Sequence, residues 1–295
     1  MPWLEFSLIA QRDSIERVER ALEDVGAISV TLLDAEDHPI LEPAAGETPM
    51  WPQAVVTALF EADADQHGLF DALQLLIPWI TPEKVSVREV ADADWTRAWM
   101  DQFKPMQFGR RTFIYPWNIE PAEAEDAVIV RLDPGLAFGT GTHATTALCL
   151  EWLDGLDLIG KTVLDFGCGS GILAIAALKL GAAQAIGVDN DPQALIASRD
   201  NAERNEVFGR LTLFTPEQLP QLRAQVVVAN ILASALVALQ PRLADLSAPA
   251  ATIALSGILC GQEDEVLAAY RDNFDALEVA TQEGWVRISG VRKST

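Results

Sequence analysis

Basic residues are scarce in this chain. Only 21 Lys and Arg stand against 43 Asp and Glu in 295 residues, a formal charge of −22. Binding to nucleic acid or to an anionic membrane rests largely on Lys and Arg meeting phosphate, so this balance argues against both. It favours a basic partner, through long-range attraction, unless the charge serves solubility alone. Cysteine is nearly absent. Cys149, Cys168 and Cys260 are odd in number and show no C-x-x-C spacing, so they build neither a disulfide framework nor a metal finger. A reducing cytoplasm fits. Long apolar runs are missing as well. The most apolar stretch, 226–239, is broken by Asn230 and Ser234, whereas a membrane span needs about 20 mostly apolar residues. The opening Met1-Pro2-Trp3-Leu4-Glu5 lacks the basic and apolar regions of a secretory signal. A soluble, cytoplasmic protein is expected, and the length favours two domains.

What is present begins with a repeated half-unit. Residues 3–9 alternate like a strand, and 14–25 carry Ile15, Val18, Leu22 and Val25 at helical spacing. Asp13 and Glu16 suggest a capping box, and Gly26 suits a helix C-terminus. A strand at 28–33 and a loop at 37–52 follow. The theme then recurs as a strand at 55–61, a helix at 66–79 and a strand at 84–90. This βαββαβ order predicts a ferredoxin-like α+β domain over 1–91. A helix over 92–104 bearing Trp95, Trp99 and Phe103 reads as a linker with a packing stripe. Residues 1–104 hold 7 basic and 20 acidic side chains, so the smaller domain is the more acidic per residue.

From 105 to 295 the pattern changes. Two strands, at 111–116 and 127–132, precede an alternation of short apolar strands with helices, which predicts a doubly wound parallel α/β sheet. The strands fall at 162–166, 185–189, 211–214, 225–229 and 252–256; the helices fall at 171–180, 192–205, 234–246 and 263–274. Two further strands, at 277–282 and 285–291, flank Glu283-Gly284 as an antiparallel hairpin. That ending departs from the NAD-type sheet and matches the Rossmann-like, seven-stranded class I methyltransferase sheet.

The segment Asp165-Phe166-Gly167-Cys168-Gly169-Ser170-Gly171 is the most informative. A buried strand runs into a glycine turn and then a helix, which lets a ligand approach the main chain closely. The dinucleotide fingerprint G-x-G-x-x-G would place its last glycine at Ile172, but the third glycine is Gly171. The G-x-G-x-G spacing, with Asp165 ahead of it, resembles the S-adenosyl-L-methionine motif of class I methyltransferases. Asp189 lies 22 residues after Gly167, at the tip of the next strand, where a carboxylate can accept from both ribose hydroxyls of S-adenosyl-L-methionine or of NAD, without choosing between them. Asp191, before Pro192, reads as a helix N-cap.

A second loop, 132–146, holds three glycines and four threonines and includes Phe138 and His143. Without G-K-[ST] it is no phosphate-binding loop. His143 reads equally as a base or contact residue and as a residue that orders the loop by hydrogen bonding. Asn230 ends the strand before Ile231-Leu232-Ala233, beyond the carboxyl end where open sheets bind ligands. Amine and amide methyltransferases of this class often carry Asn-Pro-Pro-Tyr here, where the Asn side chain and the next backbone carbonyl accept from the target N–H groups. The missing aromatic favours an aliphatic amine. A turn residue capping the next helix is the alternative.

Together Leu132-Asp133-Pro134-Gly135-Leu136-Ala137-Phe138-Gly139-Thr140-Gly141-Thr142-His143, the glycine turn and Ala229-Asn230-Ile231-Leu232-Ala233 resemble the PrmA family of ribosomal protein L11 methyltransferases over the whole chain. Ala144 departs from it, where relatives often have Pro. The resemblance implies S-adenosyl-L-methionine as cofactor, and trimethylation of the N-terminal amine and lysines of a large-subunit ribosomal protein. It assigns substrate recognition to the N-terminal domain; the cysteine pattern gives no metal site, and the charge leaves direct nucleic-acid binding unexpected. Cofactor contacts would fall on Thr146, Gly167, Asp189 and Asn230, with Asp165, Gly169, Gly171 and Phe138 in the same set. Asn230 and His143 are the catalytic candidates. An RNA methyltransferase would be expected to show a basic patch, and the charge speaks against it.

Overall fold

Every second side chain of β1 (Trp3–Gln11) points inward, because a strand lying on one core alternates with period two. The computed structural model describes residues 2–36, 50–91, 104–121, 126–132 and 143–294. They belong to two units, Met1–Ala98 and Trp99–Thr295.

In the first unit β1 is followed by α1 (Ile15–Asp24), β2 (Ser29–Asp34), β3 (Gln53–Glu61), α2 (Gln66–Leu76) and β4 (Val85–Val90). The sheet order is β2-β3-β1-β4 with antiparallel pairing throughout, the ferredoxin-like arrangement. Phe6 and Phe60 meet edge to face at 5.5 Å inside a core that includes Leu4, Leu8, Val18, Leu22 and Leu73. Two local expectations change. A 3₁₀ turn, Arg12–Ser14, precedes α1, so Ser14 rather than Asp13 is the N-cap, with no side-chain capping bond. Helix α2 stops at Leu76 rather than 79: Ile77 leaves helical backbone, and Ile77 and Ile80 both drop into the core. The helix expected over 92–104 falls, all but Lys104, outside the described residues.

The second unit opens with β5 (Met106–Phe108), β6 (Thr112–Tyr115) and β7 (Val128–Arg131), of which β5 was not expected. They form a small separate sheet in the order β5-β6-β7. Asp154, at the end of α3 (Ala144–Asp154), fastens it. Its buried carboxylate accepts from Arg110 N at 2.7 Å, Arg111 N at 3.3 Å and Thr112 Oγ1 at 2.7 Å. Desolvation pushes its pKa up, but these bonds and the Arg111 guanidinium outweigh burial and hold it below the usual value.

The main sheet comprises β8 (Thr162–Phe166), β9 (Gln184–Val188), β10 (Leu211–Phe214), β11 (Ala224–Asn230), β12 (Ser247–Leu259), β13 (Phe274–Gln282) and β14 (Trp285–Arg292). Their order is β10-β9-β8-β11-β12-β14-β13. Pairing is parallel from β10 to β12, and β14 enters antiparallel between β12 and β13. This is the class I methyltransferase sheet. Alternate residues of β11 divide between two cores. Val226 and Val228 pack with α3, α4 (Ile172–Lys179) and α5 (Pro192–Arg204); Val227 and Ala229 pack with α6 (Ala233–Leu246) and α7 (Glu263–Tyr270). Helix α7 ends earlier than the expected 274, because the buried Tyr270 hydroxyl donates to Leu236 O at 2.9 Å and Phe274 already begins β13. Glu283 and Gly284 make the expected hairpin turn with φ of 50° and 79°. Among the described residues no helix is long and apolar enough to cross a membrane. Strand order reverses between β8 and β11, and at such a switch point a crevice opens beyond the carboxyl ends of the strands.

Candidate active site

The glycine turn after β8 forms the floor of that crevice. Gly167 and Gly171 hold φ of 82° and 79°, which side chains with a Cβ rarely adopt. A Cβ on Gly171 would stand 2.8 Å from Ser198 Oγ, and one on Gly167 would overlap the Ile231 side chain. Backbone bonds hang the turn on β9: Gly167 N and Cys168 N donate to Val188 O at 2.7 and 3.0 Å. Asp189 then closes it. Its Oδ2 accepts from Gly169 N at 2.8 Å and its Oδ1 from Asp191 N at 3.0 Å. Each carboxylate oxygen retains a lone pair for a ligand hydroxyl. Asp191 caps α5 as expected, accepting from Gln193 N at 2.8 Å.

Not every residue of the expected set reaches the crevice. Asp165 is fully buried behind the turn, with Oδ2 accepting from Ala174 N at 3.1 Å and Oδ1 unpaired. Burial, with the charge of Asp189 adding to it, pushes its pKa up to about 7. Asp165 therefore supports the turn from behind. Gly171 likewise faces Ser198 rather than the cavity. Phe138 lies outside the described residues.

The opposite wall comes from the start of α3. His143 is its N-cap: Nδ1 accepts from Thr145 N at 3.4 Å and pairs with Thr145 Oγ1 at 2.8 Å. Burial lowers its pKa against the opposing charge of Glu283, so the ring is mainly neutral at pH 7. These hydrogen bonds cap the first turn of α3, and the loop before His143 lies outside the described residues. Asn230 Nδ2 donates to Thr146 Oγ1 at 3.3 Å. Helix α6 starts after Leu232 with no side-chain cap, so Asn230 does not cap it.

Three participants carried no sequence expectation as site residues. Buried Ser256 shares its hydroxyl proton between Thr145 O at 3.2 Å and Val286 O at 3.3 Å, tying α3 and β14 to β12. Gly257, with φ of 84°, falls where the β12–β14 register shifts, and a Cβ there would strike the Ile231 carbonyl. Trp285, the first residue of β14, lies edge to face with His143 at 4.7 Å. Two signals exist in the sequence: a Ser-Gly break in the apolar run of β12, and a Trp directly after the hairpin glycine.

These elements enclose two adjoining chambers of about 530 and 210 Å³ that share Gly167, Asp189, Asn190, Asn230 and Ile231. The smaller lies over Gly169 and Thr146. The larger is mostly apolar, with Val188, Pro216, Leu232 and Leu239, and includes His143 and Trp285. An elongated ligand with a hydroxyl pair and an apolar ring fits this donor set: carboxylate for hydroxyls, bare backbone at Gly167, apolar walls beside them. Among the described residues no group of three or more His, Cys, Asp or Glu is arranged to hold a metal.

The chain matches the family model described as Ribosomal protein L11 methyltransferase (PrmA) over residues 2–293. Curated proteins named ribosomal protein L11 methyltransferase are similar along their full length. That of Xanthomonas euvesicatoria pv. vesicatoria is 55% identical, covering 99% of this chain and 100% of its own. That of Pseudomonas aeruginosa is 56% identical, covering 100% of both. A crystal structure described as ribosomal protein L11 methylase from Lactobacillus delbrueckii subsp. bulgaricus superimposes with a TM-score of 0.58 at 30% identity, covering 65% of this chain and 98% of that one.

Proposed function

The chain belongs to the ribosomal protein L11 methyltransferase (PrmA) family, and from that premise we propose that it methylates the N-terminal α-amine and lysine ε-amines of ribosomal protein L11, carrying each to the trimethylated state. S-adenosyl-L-methionine is the methyl donor and supplies an electrophilic methyl group on a sulfonium. Gly167, Gly169, Thr146, Asp189 and Asn230 are the residues that would hold it.

The observation that carries the amine reading is the anchored amide of Asn230. With Nδ2 donated to Thr146, Oδ1 is left as an acceptor at the boundary of the two chambers. An acceptor there takes an N–H of the target amine and thereby turns its lone pair toward the methyl group, which is catalysis by orientation. The amine must first be neutral. For lysine at pH 7 that costs about 4.6 kcal/mol, and for an α-amine about 1 kcal/mol. The apolar walls lower both costs by disfavouring the ammonium form. His143 is a poor base, because burial lowers its pKa and Nδ1 is committed to Thr145. We assign the proton to water and His143 to contact.

Residues 1–104 carry 20 acidic against 7 basic side chains, a charge suited to attracting a basic ribosomal protein. The first unit is accordingly assigned to substrate recognition, in the cytoplasm and without direct nucleic-acid binding. Incubation with labelled S-adenosyl-L-methionine and either purified ribosomal protein L11 or ribosomal RNA tests the reading. Label is expected in the protein, with intact mass showing three methyl groups at each modified amine. Label in RNA alone overturns it.

A further inference from the structure

Transfer of three methyl groups to one nitrogen changes what Asn230 can hold. In each transfer the nitrogen lone pair forms an N–CH₃ bond while the S–CH₃ bond breaks and its electron pair stays on sulfur. The first two transfers release a proton from nitrogen to water; the third leaves a quaternary cation with no proton to lose. A primary amine offers two N–H groups, a monomethyl amine one and a dimethyl amine none. Asn230 Oδ1, a hydrogen-bond acceptor, can therefore hold the nitrogen through the first two transfers but has nothing to hold in the third.

Something else must position the dimethylamine. Among the described residues that line the crevice, three carry aromatic rings: His143, Phe166 and Trp285. Phe166 is 5% exposed and belongs to the core beneath the sheet. His143 is fixed by Thr145, and its mainly neutral ring adds no positive charge that would repel an ammonium product. Trp285 remains. It stands at the start of β14, beside the last residues of β12, and its ring is set edge to face against His143 at 4.7 Å. An indole offers methyl groups an apolar surface and offers a cation the negative face of its ring, a combination suited to quaternary ammonium groups.

We propose that Trp285, oriented by His143, is the wall that receives methyl groups already placed on the target nitrogen, and that it takes over positioning where Asn230 loses its partner. Two residues then divide the reaction by methylation state. Asn230 governs early transfers through hydrogen bonds, and Trp285 governs the last through packing and cation–π attraction. The inference rests on the proposed methylation of amines to the trimethyl state.

The test compares two peptides with the N-terminal sequence of ribosomal protein L11, one unmethylated and one N,N-dimethylated, as substrates for the full chain. For Trp285→Leu, kcat/KM is expected to fall at least tenfold more on the dimethylated peptide than on the unmethylated one. For Asn230→Ala the preference should shift the other way. Trp285→Phe, which keeps an aromatic face, should recover most of the loss and provides a variant less prone to misfolding. Calorimetric affinity for the trimethylated peptide should weaken at least fivefold in Trp285→Leu. Equal losses on the two peptides, with unchanged product affinity, overturn the role of Trp285 alone. Failure of the wild-type chain to methylate either peptide or the intact protein overturns the amine reading itself.

Discussion

Asn230 and Thr146 lie 84 residues apart in the chain and meet through a 3.3 Å hydrogen bond from Nδ2 to Oγ1. One residue ends a strand of the central sheet and the other sits in the first turn of α3. The bond joins two elements that share a cavity, and it fixes which end of the amide remains to accept from a ligand. Removing the amide should therefore cost more than removing its anchor. Asn230→Ala is expected to slow methyl transfer about a hundredfold and Thr146→Val about tenfold, through lost orientation. Single-turnover rates alongside calorimetric affinity for S-adenosyl-L-methionine separate positioning from binding. Near wild-type transfer by an Asn230→Ala enzyme that still binds the cofactor would remove Asn230 from the mechanism.

Asp189 serves two masters, the turn and the ligand. Replacing it with Asn keeps the shape but removes the charge that strengthens hydrogen bonds from hydroxyls and from Gly169 N. Hydrogen bonds to charged groups contribute about 1.5–3 kcal/mol, so Asp189→Asn should weaken binding of S-adenosyl-L-methionine by about ten- to a hundredfold. Titration calorimetry checks this. An unchanged dissociation constant would place the ribose hydroxyls elsewhere.

Asp165 ties stability to pH. Its native pKa of about 7 exceeds the unfolded value of about 3.9, so the native state keeps a proton that the unfolded chain has released. The stabilising effect is full below about pH 4 and is lost as the pH rises through 7. Between pH 5 and pH 8 the stability of the wild type should fall by roughly 3 kcal/mol relative to Asp165→Asn, at about 1.4 kcal/mol per pH unit up to the native pKa. Urea unfolding of both proteins across that range measures the gap. Parallel curves would show that Asp165 is ionised in the native state.

Gly257 is where β12 passes under the Ile231 carbonyl. Alanine there meets both an unfavourable φ of 84° and a backbone collision. Gly257→Ala should lower stability by about 1–3 kcal/mol and displace the loop after Asn230. Methyl transfer should then fall further than the folded fraction does. Thermal unfolding together with activity per folded molecule distinguishes the two losses. Full activity in the folded fraction would mean that the loop tolerates the shift.

Local signals carried far in this sequence. The βαββαβ order of the first unit, the glycine turn after β8, the N-cap at Asp191 and the Glu283-Gly284 hairpin each depend on residues near one another in the chain, and each stands in the structure as expected. Element ends were less legible, because Ile77 and Tyr270 end their helices to satisfy distant cores and a distant carbonyl. Asp165 shows the same limit at the site. Its motif position suggested a ligand contact, and only the packing of α4 over β8 turned its carboxyl inward.

The sequence by itself determined which chemistry the chain can perform. Glycine spacing, the acidic residue at a strand tip and an asparagine at another are properties of short segments, whose backbone preferences act locally. The tertiary structure decided which distant groups share the cavity. Ser256 ties Thr145 to Val286 across 111 and 30 residues, and Trp285 comes to rest against His143. The Val286 and Trp285 contacts arise only once β14 inserts antiparallel beside β12, since pairing register and burial, rather than spacing along the chain, set which side chains meet.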